Sequence, residues 1–144
     1  MAYNDSVIQK LSTEESLELL ASQTFGRLVV RRADDMDLFP LNYVVHEGQI
    51  YFRTAEGSKL FTVSLNHDVL FEGDNVDKDS QQAWSVIVKG DAEVLTSHTD
   101  VNKADQLPLK PWLPTLKYNY VRITPKEVSG RRFHLGEEPN RYEA

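Results

Sequence analysis

The stretch PLNYVVHEGQIYFRTAEGSKL, residues 40–60, decides the fold of this 144-residue chain. Two apolar runs flank Glu47 and Gly48, and two such runs joined by a short turn that contains glycine are typical of a β-hairpin. The second run, residues 49–54, places alternate side chains on two faces, as a strand does. The sequence therefore predicts two antiparallel strands, followed by a short helix over residues 58–66.

Side chains that suit a phosphate lie at the end of this hairpin. Arg53 and Thr54 close the second strand, and Ser58 and Lys59 open the predicted helix. A helix start offers free backbone N–H groups and the positive end of the helix dipole, and a nearby arginine or lysine adds charge-assisted hydrogen bonds. We therefore interpret residues 40–60 as a hairpin that anchors the phosphate of a planar cofactor. The plainer alternative is a solvated helix start.

Composition and charge limit the classes of protein to which the chain can belong. A chain of 144 residues with 40% hydrophobic residues can bury about two-thirds of its unfolded surface around one core. The net charge of −6 argues against binding to nucleic acid or to an anionic membrane surface. We see no signal peptide and no apolar run of the ~20 residues that a membrane helix needs, so a soluble, cytoplasmic protein is expected.

The residue types also exclude several kinds of chemistry. The chain has no cysteine, which excludes disulfides, thiolate catalysis and cysteine-ligated metal. The four histidines have no metal-ligand spacing, and the acidic stretch at residues 34–37 lacks the glycine and terminal glutamate of a calcium loop. No nucleophile elbow points to hydrolysis. We therefore expect no metal site and can name no catalytic residue.

One helix is predicted before the hairpin. Ser12 and Glu15 match the capping box, in which each side chain satisfies the other residue's free N–H. The helix is expected to run over residues 13–22. Three apolar positions would form its buried side: Leu17, Leu20 and Ala21.

The rest of the pattern predicts mainly β structure. Seven strands are expected, over residues 27–32, 38–46, 49–54, 69–72, 83–96, 118–123 and 128–133. Gly90 would mark a bulge, a polar loop would cover residues 73–82 and a turn residues 124–127. A further short helix is expected near residues 100–106. Short strands at this spacing, with helices inserted at few places, favour a β-barrel with capping helices.

The chain is expected to form one domain. We predict a flexible N-terminus over residues 1–10, a single barrel domain over residues 11–135 and a C-terminal tail over residues 136–144.

Five segments carry a resemblance to a known family: LSTEESLELLASQTFGRLVV (11–30), FPLNYVVHEGQIYFRTAEGSKL (39–60), VLFEGDNVD (69–77), WSVIVKGDAEVL (84–95) and YVRITPKEVSGRRF (120–133). In order and spacing they resemble the pyridoxamine 5′-phosphate oxidase-like group of flavin-binding split β-barrels, in its small bacterial branch. The resemblance implies an FMN-binding split barrel that forms a homodimer, with two flavin sites at the subunit interface. A deazaflavin is the alternative cofactor, but its longer acidic tail would favour a more extended basic groove.

The resemblance also implies which residues bind the flavin. Four consecutive residues would line the isoalloxazine ring: Pro40, Leu41, Asn42 and Tyr43. Three would lie beside the ribityl chain and phosphate: Phe52, Arg53 and Thr54. Two would bind the phosphate at the helix start: Ser58 and Lys59. Two more would lie near the ring: Trp84 and Ser85. A second subunit would complete the pocket through a basic, aromatic stretch: Lys110 and Trp112.

Several of these residues have ordinary structural alternatives. Trp84 at the start of a strand is typical of core or dimer packing. Arg53 would be solvated if it lies on an edge strand. Asn42 needs a hydrogen-bond partner if it is buried, and either a flavin edge or a neighbouring backbone group can supply one.

The function implied by the resemblance is that of a flavin-dependent oxidoreductase acting on a small molecule. Pyridoxamine phosphate oxidation itself is not expected. True oxidases carry a C-terminal motif that contains arginine, whereas the end of this chain, SGRRFHLGEEPNRYEA, has no convincing equivalent. Arg131 and Arg132 could bind an anion but are expected to be solvated. Two alternatives stay open: a flavin carrier, sensor or storage dimer without turnover, and a deazaflavin-dependent reductase.

Overall fold

A computed structural model of the chain describes residues 7–32, 34–55, 68–109, 118–140 and 142. Eight strands and two helices occur in these ranges: β1 (Ile8–Leu11), α1 (Thr13–Ala21), β2 (Phe25–Arg32), β3 (Asp35–Asn42), β4 (Val44–His46), β5 (Gln49–Ala55), β6 (Asp68–Asp77), β7 (Gln82–Val94), α2 (His98–Asp105) and β8 (Tyr118–His134). The mainly β fold predicted from the sequence is confirmed. The helix predicted over residues 58–66 lies outside the described residues.

All eight strands belong to one antiparallel sheet. Its main path runs β3-β2-β6-β7-β8-β5-β4, and β1 pairs with the C-terminal part of β8. The strands β3 and β4 stand at the two ends of this path, although only Tyr43 separates them in the chain. A sheet whose two ends are joined by one residue has to curl back on itself. This curl produces the half-barrel expected of a split barrel.

The inward face of the curled sheet carries the main core. Its largest fully buried apolar side chains come from α1 and from β2, β5, β6, β7 and β8: Leu20, Leu28, Val30, Ile50, Phe52, Phe71, Val86, Val88, Val121 and Ile123. On β2, β5, β7 and β8 these residues stand two positions apart, which places them on one face. The alternation predicted for residues 49–54 is therefore confirmed.

Helix α1 begins with the predicted capping box. The Oγ of Ser12 accepts a hydrogen bond from the N–H of Glu15 at 3.1 Å, and the Oε1 of Glu15 accepts one from the N–H of Ser12 at 3.2 Å. Two N–H groups that have no partner inside the helix are satisfied in this way.

The buried side of α1 differs by one residue from the prediction. Leu20 is fully buried and Leu17 partly buried, as expected, but Ala21 is exposed and Ser16 is buried instead. The helix lies over Gly130 of β8, whose missing side chain leaves room for Ser16. The close approach of helix to strand therefore decides which side of α1 is covered.

The strand predicted over residues 38–46 is two strands. Tyr43 interrupts it, because its backbone N–H donates to the Thr24 carbonyl at 3.0 Å rather than to a strand. Before this residue β3 pairs with β2, and after it β4 pairs with β5. The pattern of side chains runs through the break without change, since Leu41 and Val45 both pack on the main core.

The bulge predicted at Gly90 is confirmed. The register between β7 and β8 shifts between Lys89 and Gly90, which leaves Lys126 as the extra residue between Pro125 and Glu127. A strand accepts a proline at such an irregularity because the ladder is already interrupted there. The turn predicted at residues 124–127 is therefore wrong, and the chain runs through it as the single strand β8.

Two stretches predicted to be irregular are strand. Residues 8–10, expected to be flexible, form most of β1 and pair with Arg131, Arg132 and Phe133. The loop predicted over residues 73–82 is shorter, because β6 stays paired with β7 as far as Asp77. Polar residues on the exposed end of a paired strand resemble a loop in sequence, and only the pairing distinguishes the two.

A second, smaller cluster covers the outer face of the sheet. Helix α2, which lies close to the predicted residues 100–106, contributes to a buried group: Tyr51, Leu95, Ala104, Leu109 and Tyr120. Arg122 ties this layer to the sheet, since its guanidinium donates to Glu93 at 2.6 and 2.9 Å and reaches Asp100 at 3.4 Å. Among the described residues, no helix is long and apolar enough to cross a membrane.

Candidate functional site

The predicted hairpin joins β4 and β5 through the predicted turn. Glu47 and Gly48 both have positive φ, 50° and 76°, as a two-residue type I′ turn requires. This turn sets the register of β5 so that Phe52 is fully buried in the main core, whereas Arg53 lies on the opposite face.

Arg53 has an unusual environment for a surface arginine. Its guanidinium carbon lies 3.4 Å from the centroid of the Tyr118 ring, so the two planes are in face contact. Its Nε is buried and has no hydrogen-bond partner among the described residues. A buried N–H normally finds an acceptor. The flat guanidinium therefore fits an anion that would bind along its edge.

A second aromatic ring packs against the Tyr118 ring. The Tyr120 ring meets it edge to face, with centroids 5.3 Å apart and planes at 79°. The Tyr120 hydroxyl donates to the Asp105 carboxylate at 2.6 Å. Burial, and then the hydrogen bond to Asp105, raise the pKa of Tyr120 above its ordinary value, so this hydroxyl remains a donor. Sequence reasoning missed this arrangement, because it depends on the pairing of β5 with β8.

The four residues expected along the isoalloxazine ring differ in exposure. Pro40 is exposed, and Leu41 and Asn42 are half-buried. The Asn42 amide donates to the Thr24 carbonyl at 3.3 Å, which is the backbone partner considered as an alternative to a flavin edge. Tyr43 is buried, and its hydroxyl donates to the Leu20 carbonyl at 2.6 Å. Burial raises the pKa of Tyr43, so its side chain acts as a neutral core residue.

The remaining described candidates divide between the two faces of the sheet. Phe52, Thr54 and Trp84 are buried. Trp84 belongs to the main core, as its structural alternative predicted. Ser85, the next residue on β7, is half-exposed on the outer face.

Four candidates lie outside the described residues: Ser58, Lys59, Lys110 and Trp112. The two segments that contain them, residues 56–67 and 110–117, are nevertheless attached at one place. Ala55 is the residue before the first segment, Tyr118 is the residue after the second, and these two residues are paired. Arg53 stands close to both attachment points on the same strand pair.

A second cluster of charged groups lies near Pro40 and was not predicted. Arg27, which pairs with Pro40, makes ion pairs with Glu72 at 2.5 Å and with Asp74 at 2.7 Å. Burial, and then the neighbouring Asp74, raise the pKa of Glu72 to about 7. The hydrogen bond from Glu72 lowers the pKa of Asp74. Residues 72 and 74 share a face of β6 because a strand repeats every two residues, but only the pairing with β2 shows that they meet Arg27.

A cavity of about 670 Å³ lies elsewhere on the outer face. Its described lining includes three cations, Arg31, Lys89 and Lys126, and none of the residues predicted to bind flavin. Lys126 is paired with Asp91 at 3.0 Å, so part of this positive charge is already neutralised. Among the residues that the structure describes, no group of three or more His, Asp and Glu side chains could hold a metal ion.

Known proteins resemble this chain over most of its length. An uncharacterized protein of Mycobacterium tuberculosis, Rv0080, is 32% identical over 130 residues, which are 87% of this chain and 85% of the relative. Among solved structures, a Corynebacterium glutamicum protein provisionally named a pyridoxamine 5′-phosphate oxidase is 55% identical, with a TM-score of 0.85 over 92% of this chain and 97% of the other. The FAD binding protein from Mycobacterium smegmatis is 41% identical, with a TM-score of 0.80 over 89% of this chain and all of the other (100%).

The family follows from a match that spans most of the sheet. The family model for pyridoxamine 5′-phosphate oxidase matches residues 12–132, from the cap of α1 almost to the end of β8. This range contains every described residue of the candidate site. The chain therefore belongs to the pyridoxamine 5′-phosphate oxidase family.

Proposed function

We propose that this protein is a cytoplasmic, flavin-dependent oxidoreductase that uses FMN and acts on a small molecule. The observation that carries the proposal is the guanidinium of Arg53, stacked on Tyr118 with a buried Nε that no described residue accepts from. The relative from Mycobacterium smegmatis, named an FAD binding protein, supports a flavin as the ligand. A bound flavin would supply the redox chemistry, and the protein would bind and orient it.

The proposed phosphate site lies where β5 ends and β8 begins. Arg53 would donate to the phosphate along the edge of its guanidinium, which leaves its face on Tyr118. Ser58 and Lys59, three and four residues beyond the end of β5, are proposed as the other phosphate ligands. A positive charge here stands out against the net charge of −6 of the whole chain.

The proposed ring site lies towards β3. This strand approaches β5 across the open side of the half-barrel. Pro40, Leu41 and Asn42 are at least partly exposed and can offer contacts to a planar ring. Arg27, Glu72 and Asp74 lie beside Pro40 and would set the electrostatic field near the ring.

A homodimer is also proposed, with the second subunit completing the flavin site through Lys110 and Trp112. An apolar row on the outer face of the sheet supports it, since Leu38, Val29 and Leu70 stand directly opposite one another on three neighbouring strands. Leu38 is 57% exposed. Exposed apolar rows of this kind are typical of protein–protein contacts.

Pyridoxamine 5′-phosphate is not the substrate that we propose. Arg131 is exposed and Arg132 is half-buried on β8, where both pair in register with β1. Neither lies close to Arg53, which lies on β5 and pairs with Tyr120 near the opposite end of β8.

The first experiment identifies the ligand and tests the role of Arg53. The purified protein should show the absorbance bands of a flavin, and mass spectrometry of the released ligand should show FMN. Arg53→Ala should weaken FMN binding by about 1.5–3 kcal/mol, the usual loss for a hydrogen bond to a charged group. Arg131→Ala is the matched control, because Arg131 is exposed at the opposite end of β8, so the affinity for FMN should not change.

Three outcomes would change the proposal. A protein that binds no flavin in titration would overturn it. Tighter binding of FAD or a deazaflavin would correct the ligand, and FAD is favoured as the second candidate by the name of the relative at 41% identity. A bound flavin that neither NADH nor NADPH reduces under anaerobic conditions, and that no small molecule reoxidises, would indicate a carrier or sensor.

A further inference from the structure

We propose that Tyr118 is a positioning residue, which presents the Arg53 guanidinium to the ligand phosphate without neutralising its charge. The inference rests on the proposed function and deepens it. It also assigns Tyr120 and Asp105 to the support of the Tyr118 ring.

The register of two strands brings Arg53 and Tyr118 together. Arg53 pairs with Tyr120, and Ala55 pairs with Tyr118, so Tyr118 is the diagonal neighbour of Arg53 on the outer face. A diagonal neighbour is within reach of a long side chain, and the distance of 3.4 Å from guanidinium carbon to ring centroid corresponds to full face contact. The stack is therefore a product of strand pairing rather than of a mobile loop.

The ring is fixed by contacts that lead back to helix α2. Tyr120 is buried and holds Tyr118 edge to face, the favourable geometry for two aromatic rings. The Tyr120 hydroxyl is bonded to Asp105 at the last turn of α2. The carboxylate of Asp105 thus stabilises the stack through two rings and does not neutralise the arginine.

A comparison with Arg122 shows why this arrangement favours a ligand. Both arginines project from the outer face of the same strand pair. Arg122 is held by Glu93 and Asp100, which occupy its donors. The face of the Arg53 guanidinium lies on the Tyr118 ring, and the described residues place no carboxylate on its donors. An aromatic face orients a guanidinium through the ring quadrupole and leaves its edge and its charge available.

Positioning of this kind has an energetic consequence. A free arginine side chain loses much rotamer freedom when it becomes ordered on a ligand. A side chain that is already ordered on Tyr118 has lost part of that freedom before binding, so more of the interaction appears as affinity. The effect concerns only the phosphate end of the ligand.

The test compares FMN with riboflavin, which lacks the phosphate, by titration of flavin fluorescence. Tyr118→Leu removes the stack and should weaken FMN binding about tenfold, within the range of a partly buried cation–π contact, while riboflavin binding changes less than about twofold. Tyr118→Phe keeps the ring and is the matched control, so both affinities should stay within about twofold of those of the original protein. Tyr118→Met replaces the leucine variant if that variant does not fold.

The outcomes separate this inference from the proposed function. If the original protein binds FMN no more tightly than riboflavin, the phosphate role of Arg53 fails, and the inference fails with it. If the original protein prefers FMN and Tyr118→Leu keeps the whole preference, only the positioning role is overturned. Equal weakening of both ligands would also overturn it, because that result indicates a structural role. In an Arg53→Ala background, Tyr118→Leu should have no further effect on FMN binding.

Discussion

Two carboxyl groups, those of Glu72 and Asp74, share the guanidinium of Arg27 on the outer face of the sheet. Because the pKa of Glu72 is raised to about 7 while that of Asp74 is lowered, the two carboxyl groups share one proton as the pH falls below about 7. The protonation of this pair can be measured without any ligand.

The first prediction concerns the dependence of stability on pH. The folded state holds the Glu72 proton more tightly than the unfolded chain does, so this group stabilises the fold below its unfolded pKa, and the contribution is lost as pH rises through about 7. With allowance for solvent screening, the loss should be about 1–2 kcal/mol between pH 5 and 8. Glu72→Gln keeps the shape of the side chain and should abolish this loss.

Urea unfolding at several pH values checks this prediction. Glu127→Gln changes the charge by the same amount at an exposed site on the same sheet and serves as the control. It should keep the original dependence on pH. An unchanged dependence in the Glu72→Gln protein would show that the pair does not hold the proton.

The sequence predicts single side chains well where the local pattern determines them. The capping residues Ser12 and Glu15, and the placement of Arg53 on the strand face opposite Phe52, were predicted correctly, because a helix start and a strand alternation are local features. The stack of Arg53 on Tyr118 was not predicted, because these residues are far apart in the chain. Distant contacts of this kind depend on strand register.

At the scale of elements, helix α1 and strand β8 approach so closely that one position must be glycine. A β-carbon at Gly130 would lie 2.9 Å from the Cβ of Ser16, a distance that real β-carbons essentially never show. Ser16 is fully buried and has no free space to move into. The helix would have to lift from the sheet to accept any side chain there.

The second prediction follows from this contact. Gly130→Ala should lower the free energy of unfolding by about 1–3 kcal/mol, the usual cost of overpacking a core. Gly136→Ala is the matched control, since a β-carbon at Gly136 would meet no atom within 4 Å, and it should change stability by less than about 0.5 kcal/mol. Denaturant unfolding of both variants measures the difference. Equal stability of the two would contradict the packing described for α1.

The sequence predicts most elements but not their limits. The two helices that the structure describes and the strands with clear alternation, such as residues 27–32 and 49–54, were found at nearly their true positions. The division at Tyr43 and the continuity of β8 through Pro125 were missed. At both places the partner strand, rather than the local composition, decides where the chain bends or continues.

At the scale of the whole molecule, an apolar row on the outer face of the sheet bears on the association of two copies of the chain. Leu38, Val29 and Leu70 form an apolar row, and Met36 and Ile87 are exposed close to it. Water contact of such a row is unfavourable, at about 25 cal/mol for each Å² of apolar surface. A second copy that covers the row would remove this cost.

The third prediction tests this assembly. Leu38→Asp places a charge in the apolar row and should weaken the homodimer by about 2 kcal/mol or more, a shift of roughly 30-fold in its dissociation constant. Leu135→Asp is the control, because Leu135 is exposed beyond β8, where it bonds to Gln81, and the dimer should persist. Sedimentation measures both. A species of only 16.5 kDa in the original protein at micromolar concentration would contradict the proposed dimer.

The position of β8 has a consequence for the synthesis of the protein. This strand pairs with β1, β5 and β7, and the first described strand of the chain is thus completed by residues 130–133. Pairings between such distant parts are slow to form, because the intervening chain must first be brought into place. The ribosome therefore has to release the chain at least as far as residue 133 before this part of the sheet can form, and until that moment the nascent chain depends on the shorter hairpins alone.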